Sequence, residues 1–173
     1  MAVGGEVVLD FSKITFADVL TKLFRIFASP SANINVLWAI IPAYANWVFR
    51  EILFEKQSSL ANVFMNGFTC IWSGVTWIKY LAENTEFLKI FFNSSLAIFL
   101  VIFGVILMII SLLKQEVLFI LGNPRITSPL IICFTPVIYG LIIFDALFIV
   151  GTVLFLVIGN LIIISIPNLK GKD

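Results

Sequence analysis

Residues Pro129–Ile166 read PLIICFTPVIYGLIIFDALFIVGTVLFLVIGNLIIISI, 38 residues with a single charge, Asp145. A bilayer core about 30 Å thick is crossed by roughly 20 helical residues. At roughly 1.5 Å per residue, one helix of this length would reach about 57 Å. The run therefore reads as two crossings, or as one crossing plus a re-entrant piece. Phe144-Asp145-Ala146 is the least costly place for a turn. A turn there predicts a short span over Pro129–Phe144 and a longer one over Ala146–Ile166. The alternative starts a helix at Thr135-Pro136 and carries it past Asp145, which leaves the acid in mid-membrane.

The rest of the chain agrees with this start. Of 173 residues, 61% are hydrophobic and 12% charged, against roughly 25% charged in soluble proteins. Mean hydropathy is +1.11. One compact membrane domain fits this length, and an added soluble domain does not. A net charge of +1 gives no case for nucleic-acid binding. The absence of histidine removes the commonest metal ligand and the commonest general base. Cys70 and Cys133 both sit in apolar segments and read as small buried hydrophobes, not as a disulfide or a metal pair. Glu6 and Asp10 interrupt the first ten residues, so no cleavable signal is expected and the first span serves as its own insertion signal.

Outward toward the N-terminus, residues 12–27 read SKITFADVLTKLFRIF. On a helical wheel Phe16, Val19, Leu20, Leu23, Phe24, Ile26 and Phe27 share one side. Thr15, Asp18, Thr21, Lys22 and Arg25 share the other. Such a helix just before a span is expected to lie in the interfacial plane; the plainer reading is an amphipathic helix packed on a partner. Ser29-Pro30-Ser31 is expected to break it and cap the next helix.

Span one is expected over Ala32–Phe49, with Pro42 kinking it or sitting where a neighbour satisfies the freed carbonyl. Span two is expected over Leu60–Leu81, and span three, the strongest lipid-facing candidate, over Ser94–Leu113. Gly122-Asn123-Pro124-Arg125 reads as a turn, followed by Ser128 as an N-cap and Pro129 at the first helical position. The chain thus reads as an all-α integral membrane protein, an N-terminal amphipathic interfacial helix followed by four or five transmembrane helices. Its parts are an N-terminal segment (1–31), a transmembrane helical domain (32–167) and a polar C-terminal tail (168–173). With four spans and the N-terminus inside, seven bases fall inside and four outside, in line with the positive-inside rule. With five spans the count is five against six and decides nothing.

The sharpest functional signal is on span two. Asn62, Asn66, Thr69, Ser73 and Thr76 are spaced 4, 3, 4 and 3 residues apart and lie on one face; Gly67 and Gly74 lie a heptad apart on another. Span one offers a matching row of Asn35, Ala39, Pro42, Asn46 and Arg50. Polar residues in a bilayer find partners or line a wet cavity. In one reading the two rows hydrogen-bond across the hairpin and hold it together. In the other, several protomers pool the rows around an axis into a weakly selective hydrated path. Asp145 is either a mid-membrane proton or cation site or an interfacial turn residue, with Lys79 and Arg125 as conceivable partners. Trp47 and Trp77 lie near span ends and suit an interfacial belt, whereas Trp38 and Trp72 lie deeper and read as packing.

No catalytic motif is present, and neither Asp145 nor the span-two hydroxyls has an evident activating partner. The expectation is a non-enzymatic membrane protein that needs no cofactor and no metal. Its partners are lipid and either copies of itself or other membrane subunits, with no nucleic acid. A channel-like or permease-like homo-oligomer is the first reading. A structural, assembly or accessory subunit of a membrane complex is the alternative.

Overall fold

A computed structural model describes residues 15–53, 60–84, 87–113 and 123–165. The expected polar tail at 168–173 lies outside them. The described residues form six helices and no strand: α1 (Phe16–Ala32), α2 (Ile34–Leu53), α3 (Leu60–Asn84), α4 (Phe87–Leu112), α5 (Pro124–Ile138) and α6 (Ala146–Ile164).

Helix α1 opens on a capping box. The Thr15 hydroxyl accepts from the Asp18 backbone N–H at 3.3 Å, and the Asp18 carboxylate accepts from the Thr15 backbone N–H at 3.1 Å. This satisfies two of the donors that every helix start leaves open. The expected break at Ser29-Pro30-Ser31 is not where the helix ends. Pro30 is accommodated inside α1 because the Ser29 hydroxyl donates to the Ile26 carbonyl at 2.8 Å, the carbonyl that proline leaves without a partner. The helix ends at Asn33, whose side chain accepts from the Asn35 N–H. Across that break the chain turns by 103°.

The same rule explains two further prolines. Pro42 inside α2 frees the Trp38 carbonyl, and the Trp72 indole N–H on α3 takes it at 3.1 Å. Pro129 inside α5 frees the Arg125 carbonyl, and the Asn160 amide on α6 takes it at 3.0 Å. The expected cap at Ser128-Pro129 is therefore corrected. Asn123 is the N-cap, its side chain accepting from the Arg125 N–H, and Pro124 opens the helix. A proline with its carbonyl covered from a neighbouring helix is compatible with a helix interior.

The long apolar run divides as a hairpin, but its turn comes earlier than Phe144-Asp145-Ala146. Helix α5 ends at Ile138, Gly140 adopts a φ of 69°, and the N–H groups of Leu141 and Ile142 close back on the Pro136 carbonyl. A positive φ is open to glycine at no steric cost, so the chain reverses there. Asp145 then caps α6 by accepting from the Phe148 N–H at 2.7 Å.

Helices α2 to α6 run alternately up and down. Asn46 meets Asn66, Gly67 meets Gly104, and Phe134 meets Phe148. Helix α3 is the hub, with α2 and α5 on one side and α4 on the other; α1 lies along α6. The α3–α4 contact is a seam of small residues at heptad spacing. A Cβ added at Gly67 would stand 2.7 Å from the Gly104 carbonyl oxygen, and one at Gly74 would stand 3.0 Å from that of Ala97. The Ser111 hydroxyl closes the seam by donating to the Leu60 carbonyl at 2.6 Å. Small residues let helix backbones approach this closely in apolar surroundings.

Of the expected spans, one helix in the described residues is long and apolar enough by itself to cross a membrane, Asn93–Leu112. The count rises to two if the bent pair α1–α2 is taken as one span. Helix α5 is cut to 15 residues by the early turn, about 22 Å of rise. Helices α2 and α3 are long enough, but their amide and hydroxyl rows lower their apolarity.

Candidate functional site

Both polar rows of the hairpin meet inside the protomer. Their centre is Asn66, fully buried, whose Oδ1 accepts from Asn46 Nδ2 at 3.2 Å and from the Thr127 hydroxyl at 2.7 Å. One amide thus joins α2, α3 and α5. Its Nδ2 has no hydrogen-bond partner among the described residues. Ser73, one helical stretch along, donates to the Ala39 carbonyl at 2.9 Å, so α2 and α3 are tied at two levels. Thr69 is buried and bonds back to the Met65 carbonyl within its own helix. Asn62 is buried on the same face. Asn46, Asn62, Asn66, Thr69 and Ser73 are thus all buried within the protomer.

The two outermost members of the rows leave it for a small polar pocket of about 130 Å³, where Asn35 and Thr76 meet Lys79, Tyr80, Glu83 and Tyr139. The Tyr80 and Tyr139 rings stack at 4.0 Å, and the Tyr80 hydroxyl donates to the Tyr139 carbonyl. The side chain of Arg50, the last member of the expected span-one row, lies outside the described residues.

The partners of these groups come from chain segments that their own helix periodicity does not identify. Thr127 and Asn160 were missed from the sequence; Asn160 stands alone in an apolar run, and Thr127 lies in the polar stretch just before one. Asn160 makes two contacts with other helices at once, accepting from the Trp47 indole N–H at 3.3 Å and donating to the Arg125 carbonyl, besides a bond to the Leu156 carbonyl of its own helix. The tryptophan expectation is corrected. Trp47 and Trp77, placed in an interfacial belt from their positions near span ends, are buried, while Trp38 is 56% exposed. The indole N–H of Trp77 donates to the Thr135 hydroxyl at 3.1 Å. Both buried indoles have an internal acceptor, which is what allows a polar tip to leave the interface.

Asp145 sits in the hairpin turn, and its ion-pair partner is neither Lys79 nor Arg125. Lys22 of α1 reaches it at 2.8 Å and also donates to the Ile143 carbonyl at 3.0 Å. The pair stands at the edge of a cleft of about 510 Å³ that includes Asp18, Arg25 and Gly140. A Cβ added at Gly151 of α6 would stand 3.7 Å from Ile26 Cδ1 and 3.7 Å from Lys22 Cγ, so α6 passes close to α1 there. The Lys22 side chain is only 11% exposed, so the polar face of α1 is partly turned inward. Val19, Leu23 and Ile26 face the body, and Phe16, Leu20, Phe24 and Phe27 form an exposed apolar edge.

Among the described residues no three His, Cys, Asp or Glu side chains gather to hold a metal ion. Cys70 and Cys133 are buried free thiols. No protein-family model, no curated protein and no solved structure matches the chain.

Proposed function

We propose that the chain is a multi-pass membrane protein with a structural, assembly or accessory role in a membrane complex. In this reading α2 to α6 cross the bilayer and α1 lies at its surface. Large apolar side chains are exposed on every helix, among them Phe24, Ile41, Phe68, Ile102 and Leu161. Soluble monomers rarely leave contiguous apolar patches larger than a few hundred Å². The exposed apolar edge of α1, after a 103° bend from α2, supports a helix in the interfacial plane.

The observation that carries the role is the burial of the polar row. A path pooled between protomers needs Asn62, Asn66, Thr69 and Ser73 on an outer face, and these residues are taken up within one protomer. Much of what remains outside is apolar, most of all on α4, which is held by α3 alone among its major helix contacts. Such a surface suits lipid or the apolar helices of a partner.

Reconstitution into vesicles at defined protein density tests this. The expected result is no ion or solute flux above that of protein-free vesicles, and an Asn66→Leu variant that changes stability but not flux. Flux that Asn66→Leu stops while assembly stays intact would return the channel reading to first place. Impermeant thiol labelling of single cysteines placed on either side of each helix checks the five crossings.

A further inference from the structure

We infer that the groove between α4 and α5 is a binding site for one acyl chain of a bilayer lipid. The groove encloses about 370 Å³. Trp77 of α3 and Ile131 of α5 form its buried floor, and Phe99 of α4 and Ile126 of α5 stand exposed at its rims. The site arises because α4 is drawn close to α3 by the Gly67–Gly104 seam and is not drawn to α5.

Its chemistry selects hydrocarbon. Two groups on its wall carry polar hydrogens, the Trp77 indole and the Thr127 hydroxyl, and both are committed elsewhere: Trp77 donates to Thr135 at 3.1 Å and Thr127 to Asn66 at 2.7 Å. A polar ligand or a water file would find no free donor there, and apolar cavities of this kind stay dry and take apolar guests. The groove opens outward, with Phe99 and Ile126 exposed at its mouth, and in a bilayer the hydrocarbon that meets such an opening is the acyl chain of a lipid.

The inference rests on the membrane reading, and the test separates the two. Replacing Trp38, Trp47 and Trp72 with Phe leaves Trp77 as the one tryptophan. In vesicles of phosphatidylcholine brominated at mid-chain, Trp77 is expected to lose most of its fluorescence relative to unbrominated vesicles. Adding Leu100→Phe and Leu130→Phe, which narrow the groove from both walls, is expected to restore it. A lipid-facing reporter is Ile102→Trp in a chain whose four natural tryptophans are Phe. Quenching at that reporter with none at Trp77 overturns the acyl site while sparing the membrane reading. No quenching at either overturns both. Native mass spectrometry of the protein with its own tryptophans gives an independent readout. A retained phospholipid that the two phenylalanines remove supports the site, and retention that they leave unchanged overturns it. A protein dimer in place of the lipid adduct, with Trp77 shielded from bromine, overturns it too and assigns the groove to a second copy.

Discussion

The two sides of α3 are joined to their neighbours by opposite means. Toward α4 the contact is steric along most of its length, with one hydrogen bond from Ser111 to Leu60 at its end: Gly67 and Gly74 meet Gly104 and Ala97 with backbone against backbone. Toward α2 and α5 it is polar: Asn66, Ser73 and Trp77 reach Asn46, Thr127, Ala39 and Thr135. The contrast shows where each kind of change is tolerated. A close-packed seam has no room for one added carbon, while a hydrogen-bonded seam has side chains that lengthen or shorten the gap. In apolar surroundings close packing substitutes for the missing hydrophobic drive, and each interhelical hydrogen bond adds modestly.

The largest effect is expected at the steric seam. At Gly104 an added Cβ would stand 2.6 Å from the Gly67 carbonyl oxygen and 2.9 Å from the Ile71 nitrogen, and backbone cannot step aside as a side-chain tip can. Gly104→Leu is expected to separate α3 from α4 at the upper end of the roughly 1–3 kcal/mol cost of overpacking. Thermal unfolding in detergent measures it, and an unchanged midpoint would show that the seam is looser than its geometry.

Asn160→Leu comes next. It leaves the Arg125 carbonyl, already deprived of its partner by Pro129, and the Trp47 indole N–H without their bonds. The expected loss is about 2 kcal/mol, the usual cost of an unsatisfied buried group. Pairing it with Pro129→Ala isolates the carbonyl's share. That change restores a backbone N–H that can bond to the Arg125 carbonyl, so the two substitutions should be less than additive.

Asn66→Leu is expected to cost about 1 kcal/mol, two interhelical bonds at roughly 0.6 kcal/mol each. Part of that is offset because its unpartnered Nδ2 is removed as well. If this variant were as damaging as Gly104→Leu, the contrast between the two sides of α3 would fail. Ile102→Ala, on the half-exposed outer face of α4, is expected to shift stability by less than about 0.5 kcal/mol, as surface changes do.

The smallest effect lies on α1. The Thr15 hydroxyl and then its backbone N–H hold the Asp18 carboxyl below its ordinary 3.8. A depressed carboxylate stabilises the helix start above the unfolded value of about 3.9 and ceases to do so as pH falls through the lower folded value. Amide exchange at Asp18 and Val19 is expected to hold level from neutral pH down to the ordinary carboxylate value, to quicken as pH falls from there to the lower folded value, and to level off below it, after correction for the intrinsic rate. Asp18→Asn should remove the acid dependence.

Periodicity and length were enough to place most helices, because those signals are local. The heptad of Gly67 and Gly74, the polar stripe of Asn62 to Thr76, the amphipathic pattern of residues 16–27 and the need for a reversal within residues 129–166 are all written along the chain. Local signals failed wherever a distant group supplied a missing partner. Pro30 and Pro129 read as helix boundaries because each removes an N–H. Ser29 and Asn160 show that a covered carbonyl lets the helix continue. Trp47 and Trp77 read as interfacial by position, and Asn160 and Thr135 gave their indoles an acceptor inside. Asp145 was legible as a turn acid. Its partner Lys22, 123 residues away, was not, since no pattern along one helix states which other helix it meets. Composition and spacing alone specify an all-helical, apolar chain with one polar face on α3. That this face is closed inside the protomer follows only from the packing of α2 and α5 against it, because satisfying a buried polar atom is a property of whichever helix lies alongside.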